Sequence, residues 1–154
     1  MRLAMAVLAV GVVIAYAGLS GLWVTNSSSW YLSLRRPSWQ PPNWVFGVIW
    51  PYNFVMLGWV SVLAVLNFED AALWTWLGTL LFGVICAISW SYCFYALKRL
   101  ALAAMFLAVA ALSTLVLTVL SGAVSTTALV AFIPYQLWLL VAASLSIGYW
   151  RLNR

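Results

Sequence analysis

From Leu100 to Leu120 the chain reads LALAAMFLAVAALSTLVLTVL, 21 residues without a charge. A bilayer core about 30 Å thick is crossed by about 20 helical residues, so this run predicts a membrane-spanning helix. Working outward, runs of similar length lie on either side, from Ala72 to Ala96 and from Thr127 to Trp150. Two more precede them, from Trp44 to Leu66 and from Leu3 to Val24. Three connections are short: Asn67 to Ala71, Leu97 to Arg99 and Ser121 to Thr126. The fourth, Thr25 to Asn43, is long, polar and carries Pro37, Pro41 and Pro42. The expected fold is an all-α membrane protein. It is one domain over residues 1–154, a bundle of five transmembrane helices with one long lid loop (25–43) between helices 1 and 2.

Composition supports this reading. Of 154 residues, 67% are hydrophobic and 6% charged, against about 25% charged in soluble domains, and the mean hydropathy is +1.08. A soluble enzyme, a disordered regulator and a nucleic-acid-binding domain are excluded. No histidine is present, which removes His-ligated zinc or haem and any His-based triad; no metal site is expected. The only acids, Glu69 and Asp70, are adjacent. They offer neither a separated carboxylate pair nor a proton relay within the membrane. Cys86 and Cys93 are about 10 Å apart along a helix, too far to pair, and read as packing residues.

Charge sets the expected orientation. With five spans, Arg35, Arg36, Lys98, Arg99, Arg151 and Arg154 fall on one side, and Arg2, Glu69 and Asp70 on the other. Positive residues stay cytoplasmic, so the C-terminus is expected inside and the N-terminus outside. Arg2, the first apolar run and Ala15-Tyr16-Ala17 also resemble a signal peptide. Cleavage would export all six positive charges, so the first span is expected to be retained. The net charge of +5 suggests contact with anionic lipid or an anionic ligand. Small residues recur at helical spacing at Gly11, Ala15 and Gly18; at Gly83 and Ala87; at Ala104, Ala108 and Ala111; and at Ala142 and Ser146. Such stripes pack helices closely in lipid, either within the bundle or along a homodimer seam. No internal repeat is visible, which argues against an inverted-repeat transporter.

Of 11 tryptophans, five fall between Trp23 and Trp50. An aromatic belt at the interface accounts for Trp23, Trp30 and Trp44. It does not account for Trp50, about 10 Å inside the second span. By the same rise, Trp90 and Ala87 are about 9 and 13 Å, and Ala142 and Trp138 about 12 and 18 Å, below that surface. All five therefore share the half of the bundle beneath the long loop. Pro134 lies inside the fifth span and is expected to kink it. An aromatic-walled cavity under a proline-stiffened lid follows, suited to a flat apolar ligand; ring stacking adds about 0.5–1.5 kcal/mol beyond burial. Arg35 and Arg36 flank the lid as candidate partners for a ligand's carboxylates.

The residues Trp30-Tyr31…Arg36-Pro37-x-Trp39-x-Pro41-Pro42-x-Trp44-x-Phe46…Trp50 resemble the first-loop signature of the translocator protein family, also called TspO/MBR or tryptophan-rich sensory proteins. Pro134-Tyr135-x-x-Trp138-x-x-x-Ala142 resembles its fifth-helix motif. The resemblance covers essentially the whole chain. It implies a ligand pocket beneath the first loop, with porphyrins such as protoporphyrin IX as ligands and no required cofactor; animal members also take cholesterol and drug-like molecules. Trp50 and Trp138 would stand beside the ligand, with Phe46, Ala87, Trp90 and Ala142 around it, and Tyr31, Trp39 and Pro42 in the lid. Three positions depart from the pattern: Ala87 and Ser146 stand where the family has Asn, and Arg36 where it has Lys. Leu145-x-x-x-Tyr149-x-Arg151 fits the proposed sterol consensus, and also reads as an interfacial anchor.

The leading expectation is a tetrapyrrole-binding sensor or carrier in a bacterial cytoplasmic membrane, with an outer or mitochondrial outer membrane as alternatives. Its rivals are light-dependent porphyrin breakdown using Trp50 or Trp138, facilitated passage of apolar ligands, and a structural partner subunit. No side chain offers ordinary acid–base or nucleophilic catalysis, so any turnover would depend on ligand and light.

Overall fold

Lipid offers no partner to a bare backbone, so an apolar run that crosses it must satisfy its own amides as a helix. The computed structural model describes residues 1–24 and 28–154, and five helices in it are long and apolar enough to span a membrane. They are α1 (Arg2–Gly21), α3 (Asn43–Asn67), α4 (Asp70–Ser91), α5 (Leu100–Val124) and α6 (Thr126–Leu152). α4 runs on into a π-helical turn, Tyr92–Ala96. A short helix, α2 (Ser28–Ser33), lies between the first two spans. The first residues of that connection, 25–27, lie outside the described residues.

The element boundaries have local causes. Asn43 is the first helical residue of α3. Pro42 holds the cap position at φ −55° and ψ 149°, a geometry its ring imposes. α5 and α6 approach within a single residue. Ser125 is extended and its hydroxyl accepts from the Ala128 amide at 3.0 Å, capping α6. The π turn closes through the Leu97 amide to the Tyr92 carbonyl (3.0 Å) and the Arg99 amide to the Cys93 carbonyl (2.8 Å). Lys98, at φ 56°, takes the left-handed geometry that ends a helix. α6 continues through Pro134. The proline removes one amide donor, and Tyr52 of α3 donates to the nearby Ala131 carbonyl at 2.9 Å.

The spans contact one another in a closed ring, α1–α3–α6–α5–α4 and back to α1. Three of the small-residue stripes serve this packing. Gly83 approaches Ser113 and Thr114 of α5, and Ala104, Ala111, Ala142 and Ser146 are buried. Gly11, Ala15 and Gly18 instead face outward from α1. Gln136, buried on α6, donates to the Ala111 carbonyl at 3.0 Å and stands 3.1 Å from the Thr118 hydroxyl of α5.

At the end away from the long connection, Arg2 closes α3. Its guanidinium donates to the carbonyls of Val65, Leu66 and Phe68 at 2.9–3.0 Å and pairs with Glu69 at 3.0 Å. These carbonyls belong to the unpaired last turn of a helix, so the backbone contacts outweigh the exposed ion pair. Arg2→Ala is expected to cost about 1 kcal/mol, or about 2–4 °C in thermal unfolding. Glu69→Gln should cost only a few tenths of that. Equal losses in a melting series would show the ion pair to be the principal contact.

Candidate functional site

The segment following α2 is laid along the C-terminal turns of α6. The Arg35 amide donates to Asn153 Oδ1 at 2.8 Å, and Asn153 Nδ2 donates to the Arg35 carbonyl at 3.0 Å. Pro37 is buried against Gly148, where an added Cβ would meet its ring at 2.8 Å. Trp39 Nε1 donates to Ser144 at 3.3 Å. Tyr149 donates to Gln40 Oε1, its hydroxyl lies 3.0 Å from that of Tyr31, and Gln40 Nε2 donates to Tyr31 at 3.3 Å. With one proton per hydroxyl, the ring closes when Tyr31 donates to Tyr149. Positions 144 and 148, and again 149 and 153, are one turn apart, so the segment runs along the last three turns of α6, from its C-cap Asn153 back to Ser144.

Beneath this segment lies a cavity of about 420 Å³. Its aromatic lining comes from Tyr31 of α2; Phe46, Trp50 and Phe54 of α3; Trp90, Phe94 and Tyr95 of α4 and its π turn; and Tyr149 of α6. Ala17, Ser20, Gly21 and Val24 close the α1 side, and Ala142, Leu145 and Ser146 the α6 side. Trp50 stacks on Phe54 (centroids 5.7 Å, 24° between planes). Trp90 is fixed by its indole N–H, which donates to Ser146 at 3.2 Å. An outer hollow of about 350 Å³ shares Gln40 and Asn43 with the cavity and adds Arg36, Pro37, Pro41 and Pro42. Arg36 also lies 6.0 Å from the Tyr31 ring centroid.

The structure thus brings Tyr31, Phe46, Trp50, Trp90 and Ala142 onto the cavity wall. Trp138 stands behind it, edge-on to Trp50 at 6.3 Å and to Phe46 at 5.2 Å. Ala87 is buried in the helix core, off the cavity wall. Trp39 lies against α6 at Ser144 and Gly148, 55% exposed and off the cavity wall, and Pro42 lines only the outer hollow. Arg36 reaches that hollow; Arg35 is outside both and is held through its backbone. Leu145 and Tyr149 face the cavity, while Arg151 is exposed away from it, so the three sterol-consensus residues do not converge. Trp44 is 70% exposed, in keeping with a belt position. Trp30 instead packs on Phe94 at 5.7 Å with Lys98 5.6 Å from its ring.

Sequence reasoning missed Phe54, Phe94, Tyr95, Gln40 and the α1 wall. Phe54 was findable, since it lies one turn beyond Trp50. Gln40, an amide set among prolines, carried no periodic signal.

An all-helical bundle with five membrane-spanning segments and an aromatic cavity at one end defines an integral membrane protein with an internal small-molecule-sized site. The TspO/MBR family profile matches residues 6–151. The protein CrtK of Rhodobacter capsulatus is 33% identical over 141 residues, covering 90% of this chain and 87% of CrtK. The tryptophan-rich protein TspO of Bacillus cereus is 31% identical over 128 residues, covering 81% of each chain. The human translocator protein is 27% identical over 129 residues, covering 80% of this chain and 75% of its own length. The chain belongs to the TspO/MBR family.

Proposed function

We propose that this protein is a membrane sensor or carrier that binds a tetrapyrrole in the cavity, with the 28–42 segment as its lid. One observation carries the reading: eight aromatic side chains converge on a single hollow beneath the proline-bearing segment. Flat apolar rings recognise such a wall by stacking and shape. The names of the relatives, a tryptophan-rich sensory protein and a translocator protein, support sensing or movement of a ligand. On this reading the ligand serves tetrapyrrole metabolism or a stress response. The cavity end carries Arg35, Arg36, Lys98 and Arg99, which supports a cytoplasmic lid in a bacterial inner membrane. The outward stripe Gly11–Ala15–Gly18 is the face we assign to self-association.

The test is titration of the detergent-solubilised protein with protoporphyrin IX in the dark, read by tryptophan fluorescence. Saturable quenching that weakens in Trp50→Phe and Trp138→Phe supports the site. Quenching that does not saturate, or is equal in all three proteins, rejects it. A second reading rests on the Trp50–Trp138 edge contact, an electron-rich pair beside the ligand. If it holds, illumination in the presence of dioxygen as oxidant yields a new absorbing product, less of it in both variants and none without dioxygen.

The outer hollow separates the two arginines. Arg36→Gln is expected to weaken protoporphyrin IX about fivefold, or roughly 1 kcal/mol for a partly solvated charge-assisted bond. Its dimethyl ester should be unaffected, and Arg35→Gln should change neither. Equal effects from the two arginines would point to general electrostatic attraction instead.

A further inference from the structure

Among the described residues, four buried polar atoms have no hydrogen-bond partner: the Tyr16 hydroxyl, Asn53 Oδ1 and Nδ2, and Trp138 Nε1. They come from α1, α3 and α6, and they gather around one ring. Tyr16 meets Trp50 edge-on at 6.4 Å, and Trp138 meets it edge-on at 6.3 Å. Asn53 lies three residues beyond Trp50, on the same face of α3. The Tyr135 hydroxyl of α6 lies within loose hydrogen-bonding reach of Tyr16, a contact that falls short of a well-formed bond. Trp50 and Phe54 are on the cavity wall, whereas Tyr16, Asn53 and Trp138 are not. The polar atoms therefore form a layer behind the wall.

Such a layer is costly in a bundle surrounded by lipid, because a buried amide without a partner forfeits its hydration. Gln136, buried to a similar degree, shows the ordinary solution, with a partner for each end of its amide. Asn53 is wholly buried and has neither. The inventory of the layer defines its occupant. Asn53 offers two N–H donors, and Tyr16 and Trp138 one each; the acceptors are Asn53 Oδ1 and the Tyr16 oxygen. This donor excess does not suit a cation. An anion would be buried without a counter-charge, since every charged residue lies near the ends of the spans. A molecule that accepts two hydrogen bonds and donates two does fit, and buried water commonly plays this part.

We propose that Tyr16, Asn53 and Trp138 bind internal water behind Trp50, bridging α1, α3 and α6. This site stands whether or not the cavity takes a tetrapyrrole. It would hold the Trp138 indole by a direct bond to water and the Trp50 ring through its surroundings.

Two measurements on the full-length protein in detergent, free of porphyrin, test it. The first is a double-mutant cycle in thermal unfolding. Tyr16→Phe is expected to lower the midpoint by about 3 °C, and to have no effect in the Asn53→Leu background, because the shared water is already gone. The second is the infrared difference between wild type and Asn53→Leu in D2O. A buried O–D stretch that shifts in 18O-labelled D2O, and is absent from the variant, is expected. Additive substitutions, or the lack of an isotope-sensitive band, overturn the proposal. Coupling without that band means a direct side-chain bond, and overturns it as well. Should Asn53→Leu fail to fold, Tyr16→Phe takes its place in the infrared comparison and that result decides.

Discussion

Gly148→Val should unseat the segment over the cavity. It is expected to expose the Arg35–Arg36 bond to trypsin and to weaken protoporphyrin IX about tenfold. A Cβ at position 148 would lie 2.8 Å from Pro37 Cγ and 2.8 Å from Trp39 Cζ2, inside van der Waals contact. Trp39 is exposed and can swing away. Pro37 is buried, and its ring is part of the backbone, so the chain must move with it. What moves is tied to the Tyr31–Tyr149–Gln40 ring and to the paired Arg35–Asn153 bonds. Losing one or two of these, at about 1 kcal/mol each, gives the tenfold estimate. The Arg36–Pro37 bond resists trypsin because of the proline, so cleavage after Arg35 is a clean readout. Gly47→Ala is the control, since nothing lies within 4 Å of an added Cβ there. Cleavage of Gly148→Val at the wild-type rate would mean that the segment is not seated on α6.

The spans were legible because a bilayer imposes one length and one composition on any helix that crosses it. Leu100–Leu120 needed nothing else to be read, and the helix extends only four residues further, to Val124. Because a helix rises uniformly, depth arithmetic put Trp50, Trp90 and Ala142 at similar depths, and all three line the cavity. It failed at the end of α4 for the same reason. A regular helix would put Phe94 beneath Trp90 and turn Tyr95 away. The π turn at Tyr92–Ala96 inserts one residue, and both rings reach the cavity. Ala87 shows the limit of depth alone: it shares the depth of the cavity and lies in the helix core. The Gly148 seat, the Gln40 amide and the Asn53 layer depend on which faces of three helices meet. A single sequence does not state that, because its helices are apolar all round and carry no strong stripe to orient them.

Two tryptophans at opposite ends of the bundle should separate stability from binding. Trp76 is completely buried, donates to Ser61 at 3.2 Å, and packs against Phe68 and Phe132 at 6.4 and 6.0 Å. Trp76→Ala leaves a hole between α3, α4 and α6, and strands the Ser61 hydroxyl. Lipid reduces the transfer term, since the membrane is as apolar as the core, but the lost dispersion contacts remain. The expected cost is about 3 kcal/mol, or a midpoint lowered by about 6–12 °C. Below the transition, porphyrin affinity should be unchanged, because Trp76 is not part of the cavity. Trp50→Ala should do the reverse. It removes a wall ring that stacks on Phe54 and meets Trp138, and should weaken porphyrin about tenfold through lost stacking and burial. Its midpoint should fall by about a third as much as that of Trp76→Ala, because Trp50 is only partly buried and borders a cavity that already exists. Paired melting and titration curves decide it. Parallel losses in both quantities would mean that the cavity is not an independent site but an extension of the core, and that its shape is set by packing alone.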